Sequence, residues 1–493
     1  MRPRPRPVAL LALALAVSAC TGSSTPSPTA GGSLAAGPSA VATGAPPGSS
    51  TASAGTGGGA AASATGGAPS AATSGASAAA DWPTYHRDNA RSGYDPTFPA
   101  FGGSIAKAWS AALDGAVYAQ PIVVHGLLIV ATEGDTVYGI DPSGGQVRWM
   151  RNLGTPVPLA ALPCGNIDPL GITGTPAFDE RTGSVFAVAE VTGPKHVLFA
   201  LDAATGAVRW SRDVDVPGTD PAAQQQRPAL TVAGGYVYAG FGGLLGDCGD
   251  YKGKVVGVPV DGKGDTLAYV LPVDREGAVW ATGGPQVGPD GNLYVSSGNG
   301  SATGGTYDGS DSVMELSPTL DRLSFFAPSS WAQDNARDLD LGSLSPALVG
   351  TAWVFIAGKR GTGYTLRQGD LGGIGGEVDS APVCNGFGGS AVRDQVVYVP
   401  CTGGVRQVTI GSDGSIAVGW KADSANGPPV IGGGAIWSVD TDAGELFALS
   451  PTSGATLARA TLGDVPHFAS PTLWDGLVIV GTMSGVVALR PSG

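Results

Sequence analysis

Residues able to do chemistry are few in this sequence, and most are poorly spaced for it. The four histidines, His86, His125, His196 and His467, are scattered and form no metal-binding pattern. There is no His-Glu-x-x-His pair and no Gly-x-Ser-x-Gly nucleophile elbow. Asp440, Asp442 and Glu445 put three carboxylates within six positions, a hint of an oxygen-rich calcium loop. The simpler reading of Asp440-Thr441-Asp442-Ala443-Gly444-Glu445 is a tight turn between two strands. The glycines of DLGGIGGEV, residues 370–378, lack the strand-to-helix setting a phosphate cradle needs. Five cysteines remain: Cys20, Cys164, Cys248, Cys384 and Cys401, and their spacings are not those of zinc ligands.

Composition narrows the function classes. A net charge of −13 argues against nucleic acid, because phosphate binding requires a basic stripe that releases counterions. Only 14% of residues are charged and 80 are glycine, which fits a turn-rich all-β chain better than a helical one.

The first twenty residues, MRPRPRPVALLALALAVSAC, read as an export signal. Arg2, Arg4 and Arg6 precede an apolar run from Val8 to Val17 that is too short to span a bilayer stably. Val17-Ser18-Ala19-Cys20 resembles the bacterial lipobox, in which the cysteine is lipidated and becomes the new N-terminus; an ordinary secretory signal cut near Ala19 is the alternative. No other stretch is long and apolar enough to cross a membrane. Residues 21–80 carry no charge and are almost wholly Ala, Gly, Ser, Thr and Pro. Such a segment cannot bury enough apolar surface to offset its ordering entropy, so a disordered tether is expected, about 40–45 Å from end to end as a coil. The expected location is the outer face of the bacterial cell membrane, with the chain lipid-anchored and extracytoplasmic.

From Asp81 onward one unit recurs. It opens with a short apolar strand, usually after a proline: Pro121, Pro176, Pro228, Pro285, Pro346, Pro429 and Pro471, with Ser390 standing in the sixth unit. Two further apolar strands follow Gly or Asp turns. The third ends in text such as VYGIDPSGG or LFALDAATG, and there are eight such endings. A fourth strand often carries an aromatic, as at Trp149, Trp210, Tyr269, Phe325 and Trp420. Period-two alternation bounded by Gly, Asp and Pro marks half-buried antiparallel strands. Four short strands per 39–61 residues make a propeller blade.

Residues 81–493 are therefore expected to form an all-β, eight-bladed β-propeller of four-stranded antiparallel blades. The last unit lacks a fourth strand because it ends at Gly493, while AKAWSAAL, residues 106–113, supplies one with Trp109 ahead of the first full unit. The N-terminal strand should complete the eighth blade and close the ring, removing open sheet edges. The aromatics should pack between neighbouring blades. Of the three ways to pair the four remaining cysteines, the favoured one is Cys384 with Cys401 and Cys164 with Cys248, which lie in extended loops of neighbouring blades.

The motif lines VYGIDPSGGQVRW (137–149) and LFALDAATGAVRW (198–210) resemble the pyrroloquinoline quinone (PQQ) propeller repeat. That repeat occurs in quinoprotein alcohol dehydrogenases and in non-catalytic bacterial lipoproteins. DWPTYHRDNARSGYDPT (81–97) is similar to the lead-in of that superfamily, and residues 467–489 to its closing blade. The resemblance extends to the dehydrogenase site. Residues 293–321 resemble the segment whose asparagine holds calcium beside the quinone, residues 334–350 the stretch with the catalytic aspartate, and residues 357–366 the turn that brings a basic residue to the cofactor. It implies Asn299 as a calcium ligand, Asp338 or Asp340 as the base, and Lys359 or Arg360 facing PQQ. Two features depart from the dehydrogenases. No adjacent cysteine pair exists, and the calcium-binding glutamate has only Asp247 and Asp250 as rough substitutes.

The leading expectation is a non-catalytic binding or scaffolding lipoprotein whose loops take a protein, peptide or glycan partner of the envelope. A PQQ- and calcium-dependent dehydrogenase of alcohols or sugars with a degenerate site is the second, and a hydrolase or lyase of wall polymers the third.

Overall fold

Apolar residues alternate along short segments and glycine turns separate them, so each unit folds as a meander of hairpins. The computed structural model describes residues 80–493, and these form eight sheets, each built on four strands. The signal, Cys20 and residues 21–79 of the expected tether lie outside the described residues.

In the first blade the strands are Ile122–Val124, Leu127–Ala131, Thr136–Ile140 and Val147–Asn152, each antiparallel to the next. The first three are buried, whereas the fourth is largely exposed and forms the outer rim. The other blades repeat this order. DLGGIGGEV supplies a short parallel edge strand, Gly373–Ile374, to the fourth blade. Asp440 to Glu445 is a hairpin turn in which the Asp440 carboxylate accepts from the amides of Asp442 and Ala443.

The ring closes as the spare strand and the vacancy implied. Ile105–Ala112 pairs antiparallel with Gly485–Pro491, with Trp109 opposite Ala488. Fourth-strand tryptophans stack across the seams. Trp109 covers Gly145 of the first blade and Trp149 covers Gly206 of the second, so closely that a Cβ on either glycine would collide with the indole. Both glycines also have positive φ, 76° and 68°, which side chains disfavour. Trp210 over Gly262 and Trp420 over Gly454 repeat the contact.

The lead-in threads across the inner strands. Backbone hydrogen bonds join Trp82 to Val123, Pro83 to Phe178, Asn89 to Val287, Ser92 to Val392 and Gly93 to Ile431, which belong to five different blades. Arg91 is buried and donates to the carbonyls of Leu230 and Gly283 and to the hydroxyls of Thr84 and Thr231. His86 is buried against Ser390 and Ser470, and burial holds its pKa down to about 3, so the ring is neutral. This segment fills the centre of the ring at its end.

Candidate ligand-binding site

Two kinds of position in the repeat meet beyond that plug: the stretch just before a blade's first strand and the turn just after its second. The first supplies Arg227, Trp280, Asp340, Phe387 and Phe468; the second supplies Asp247, Asn299 and Lys359. Together they line a cavity of about 330 Å³ on the ring axis, within the usual size range of small-molecule sites. A minute void lined by Tyr85, Tyr118 and Thr282 lies beyond Arg227 and Phe468, toward the plug.

Three residues implied by the dehydrogenase resemblance, Asn299, Asp340 and Lys359, come together here. The Lys359 ammonium donates to Asp340 at 2.6 Å and to Asp338 at 2.7 Å. Asp340 also accepts from the Asn299 amide N–H at 2.6 Å, and the Asn299 side-chain amide, with its nitrogen toward the carboxylate, gives a further donor. Burial pushes the Asp340 pKa up while Lys359 opposes it. Burial works against the charged form of Lys359 too, but the two carboxylates outweigh it and leave its pKa above the ordinary lysine value. Asp338 stands at the exposed edge, reaching the site only through Lys359. Arg360 turns to Asp334 instead of the cavity, its Nε 2.5 Å from the carboxylate. Asp247 lines the cavity and accepts from the Tyr251 hydroxyl at 2.5 Å, while Asp250 does not line it.

The walls are aromatic. The ring of Trp280 lies 6.4 Å from Phe387 and 6.3 Å from Phe468, and Phe387 stacks on Phe468 at 6.4 Å. Phe468 has φ 66°, a conformation costly for a bulky side chain, and such strain persists where surrounding structure enforces it. Arg227 lies over its face at 4.9 Å. The Arg227 Nε is sealed from solvent without an acceptor. Both disulfides brace the rim. Cys164–Cys248 joins the loop of Asn166 to that of Asp247, and Cys384–Cys401 fastens the chain just before Phe387.

Two implied groups can be tested against these residues. A flat ring system can lie against the faces of Trp280 and the phenylalanines, but not between them, since their rings are tilted at 56° and 59° with centroids 6.4 and 6.3 Å apart. Calcium does not fit: it requires six to eight oxygens, yet both Asp340 oxygens already accept from Lys359 or Asn299, and among the described residues no three His, Cys, Asp or Glu side chains are arranged to hold a metal.

The fold and cavity define the class, an eight-bladed β-propeller with an axial cavity. Residues 106–310 match the family described as outer membrane protein assembly factor BamB. Among solved structures, a quinohemoprotein alcohol dehydrogenase from Comamonas testosteroni superimposes with TM-score 0.65 at 17% identity, covering 83% of this chain and 80% of that one. A europium-containing methanol dehydrogenase gives 0.64 at 16%, covering 82% and 90%. BamB from Moraxella catarrhalis gives 0.54 at 16%, covering 78% and 97%. At these identities the likeness is one of fold. No curated protein matches the sequence. The two disulfides fit an extracytoplasmic address.

Trp280, Phe387, Phe468 and Arg227 escape a reading by motif, because they come from separate blades. One signal was visible. The residue before each blade's opening position is Gln120, Thr175, Arg227, Gly284, Ser345, Gly389, Pro428 or Ser470, and Arg227 alone is charged.

Proposed function

We propose that this chain is a non-catalytic binding propeller, displayed on the outer face of the cell membrane through lipidated Cys20 and the tether of residues 21–80, and that its axial cavity takes a flat small molecule. The observation that carries this reading is the aromatic-walled cavity of about 330 Å³ in which Asp340, the base that the dehydrogenase resemblance implies, is already committed to Lys359 and Asn299. A general base must be free to accept a proton, and this carboxylate is engaged by donors on both oxygens. Larger envelope partners, whether protein, peptide or glycan, would meet the loops around the mouth, where Leu245 and His467 are exposed.

The test is to titrate the purified propeller with PQQ, with and without calcium. Quenching of tryptophan fluorescence and a raised melting temperature, independent of calcium and without dye reduction by alcohols or aldoses, support the proposal. Calcium-dependent dye reduction would show a dehydrogenase instead.

A further inference from the structure

The cavity mouth is edged by residues 245–250, which are exposed apart from the half-buried Cys248. Buried Leu244 and Tyr251 anchor the two ends of this tip. Gly246 and Gly249 within it take positive φ, 103° and 77°, and such positions absorb the backbone rotation of a hinge. Facing it is the loop of residues 159–170, from the connection between the first and second blades. Ile167 and Leu170 of that loop pack with Leu244 in a small cluster set apart from the cores between blades. Among the described residues no hydrogen bond joins 245–250 to this loop, so the Cys164–Cys248 bond is what ties the tip to it. On its other side the tip is held by Arg275, which donates to the Asp247 and Gly249 carbonyls at 3.3 and 3.2 Å in an exposed setting. The two disulfides also differ in access. Cys401 is buried in the core between the fifth and sixth blades, whereas Cys164 and Cys248 are both half-buried at the surface. Thiol attack needs access to a sulfur, and exposed disulfides are the labile ones.

As regulation of the site proposed above, and resting on that reading for what enters, we infer that residues 245–250 are a lid strapped shut by the Cys164–Cys248 bond, and that exchange with a dithiol opens it. One thiolate of the dithiol attacks a sulfur of the strap, forms a mixed disulfide and releases the other cysteine as a thiolate. The second thiolate then closes the dithiol into its own disulfide and frees the remaining cysteine. Two electrons pass to the protein, and two protons follow them onto the cysteine sulfurs. Reoxidation closes the strap again. The lid opens without unfolding the ring, because the strap lies outside the cores that hold the blades together.

The experiment measures acrylamide quenching of tryptophan fluorescence, which reads the entry of a small neutral molecule. It is run on the oxidised propeller, on the propeller treated with dithiothreitol, and on the double variant Cys164→Ser with Cys248→Ser, which keeps Cys384–Cys401. Trp280 lines the cavity, and Trp280→Phe in each form isolates its share of the signal. That share should be quenched about twofold more after treatment and in the double variant. Hydrogen exchange should speed about tenfold at the amides of 245–250 and stay unchanged across the strands. Under dithiothreitol, alkylation should label Cys164 and Cys248 before Cys384 and Cys401. Unchanged quenching and exchange, or earlier labelling of Cys384 and Cys401, overturns the lid. A PQQ titration of the oxidised and double-variant forms separates the two readings. If quenching by acrylamide rises but PQQ binds neither form, the cavity reading falls and the lid stands. If PQQ binds both forms at one rate and acrylamide quenching does not change, the lid falls and the cavity reading stands.

Discussion

Trp109 rests on Gly145 across the seam where the chain's two ends meet, its indole N–H donating to the Pro142 carbonyl at 2.8 Å. The tryptophan belongs to the eighth blade and the glycine to the first, so one contact ties closure to the neighbouring sheet. Trp109→Ala removes a large packed ring and should cost about 3 kcal/mol in urea unfolding. Removing residues 80–112 exposes the Gly485–Pro491 edge, and the product should self-associate on size exclusion.

Lys359 and Asp340 form a second such pair, this time within the cavity. Lys359→Met strands a buried carboxylate and should destabilise by about 3 kcal/mol. The double variant Lys359→Met with Asp340→Asn should recover most of that loss. If the double variant is no more stable than the single, the pair is not coupled as the geometry indicates.

A buried acidic cluster makes stability fall with rising pH. Burial first, then mutual repulsion, pushes Asp135 up to about 8; Glu133 is pushed up to about 7, mainly by burial. Both Asp135 oxygens lack donors. Burial works against a charged His196, yet Glu190 and Asp215 raise it to about 9. For the two acids the folded state favours the proton, so their stabilising contribution is whole below the ordinary carboxylate range and is lost as pH climbs to 7–8. For His196 it is whole below the ordinary histidine value and lost through about 9. All three act in one direction, and the melting temperature should fall by several degrees between pH 5 and pH 9. Asp135→Asn keeps the shape, and asparagine tolerates the φ of 55° there. It should melt higher than the parent at pH 8 and close to it at pH 5.

Arg91 fastens the lead-in by several hydrogen bonds at once. Arg91→Met leaves the Leu230 and Gly283 carbonyls without that donor and should cost several kcal/mol, roughly 1–3 for each buried group left unsatisfied. Arg91→Lys should rescue little, because an ammonium cannot span the same acceptors. Denaturant midpoints of the two variants check this.

The ring was legible because its signal is repeated: eight openings, eight strand endings, and one strand misplaced from the end to the start. Pairing of the cysteines followed once blades were assigned. Asn299, Asp340 and Lys359 were legible only through resemblance. Arg360 shows the limit of that approach, since its neighbour Lys359 turns inward while it meets Asp334. Trp280, Phe387 and Phe468 sit about 80 to 190 positions apart in the chain and carry no shared motif. Arg227 stood out by charge in its register, but its place over Phe468 depends on what surrounds it in space. The work of Arg91 was hidden because its acceptors are mostly backbone oxygens, which no side-chain pattern encodes.

The plug of residues 82–95 turns the axis into a cul-de-sac. Whatever enters past Leu245 must back out by the same doorway, so a polymer could not be threaded through the hub. Such a vestibule would accept a free molecule or the tip of a chain, and would pass over the middle of one.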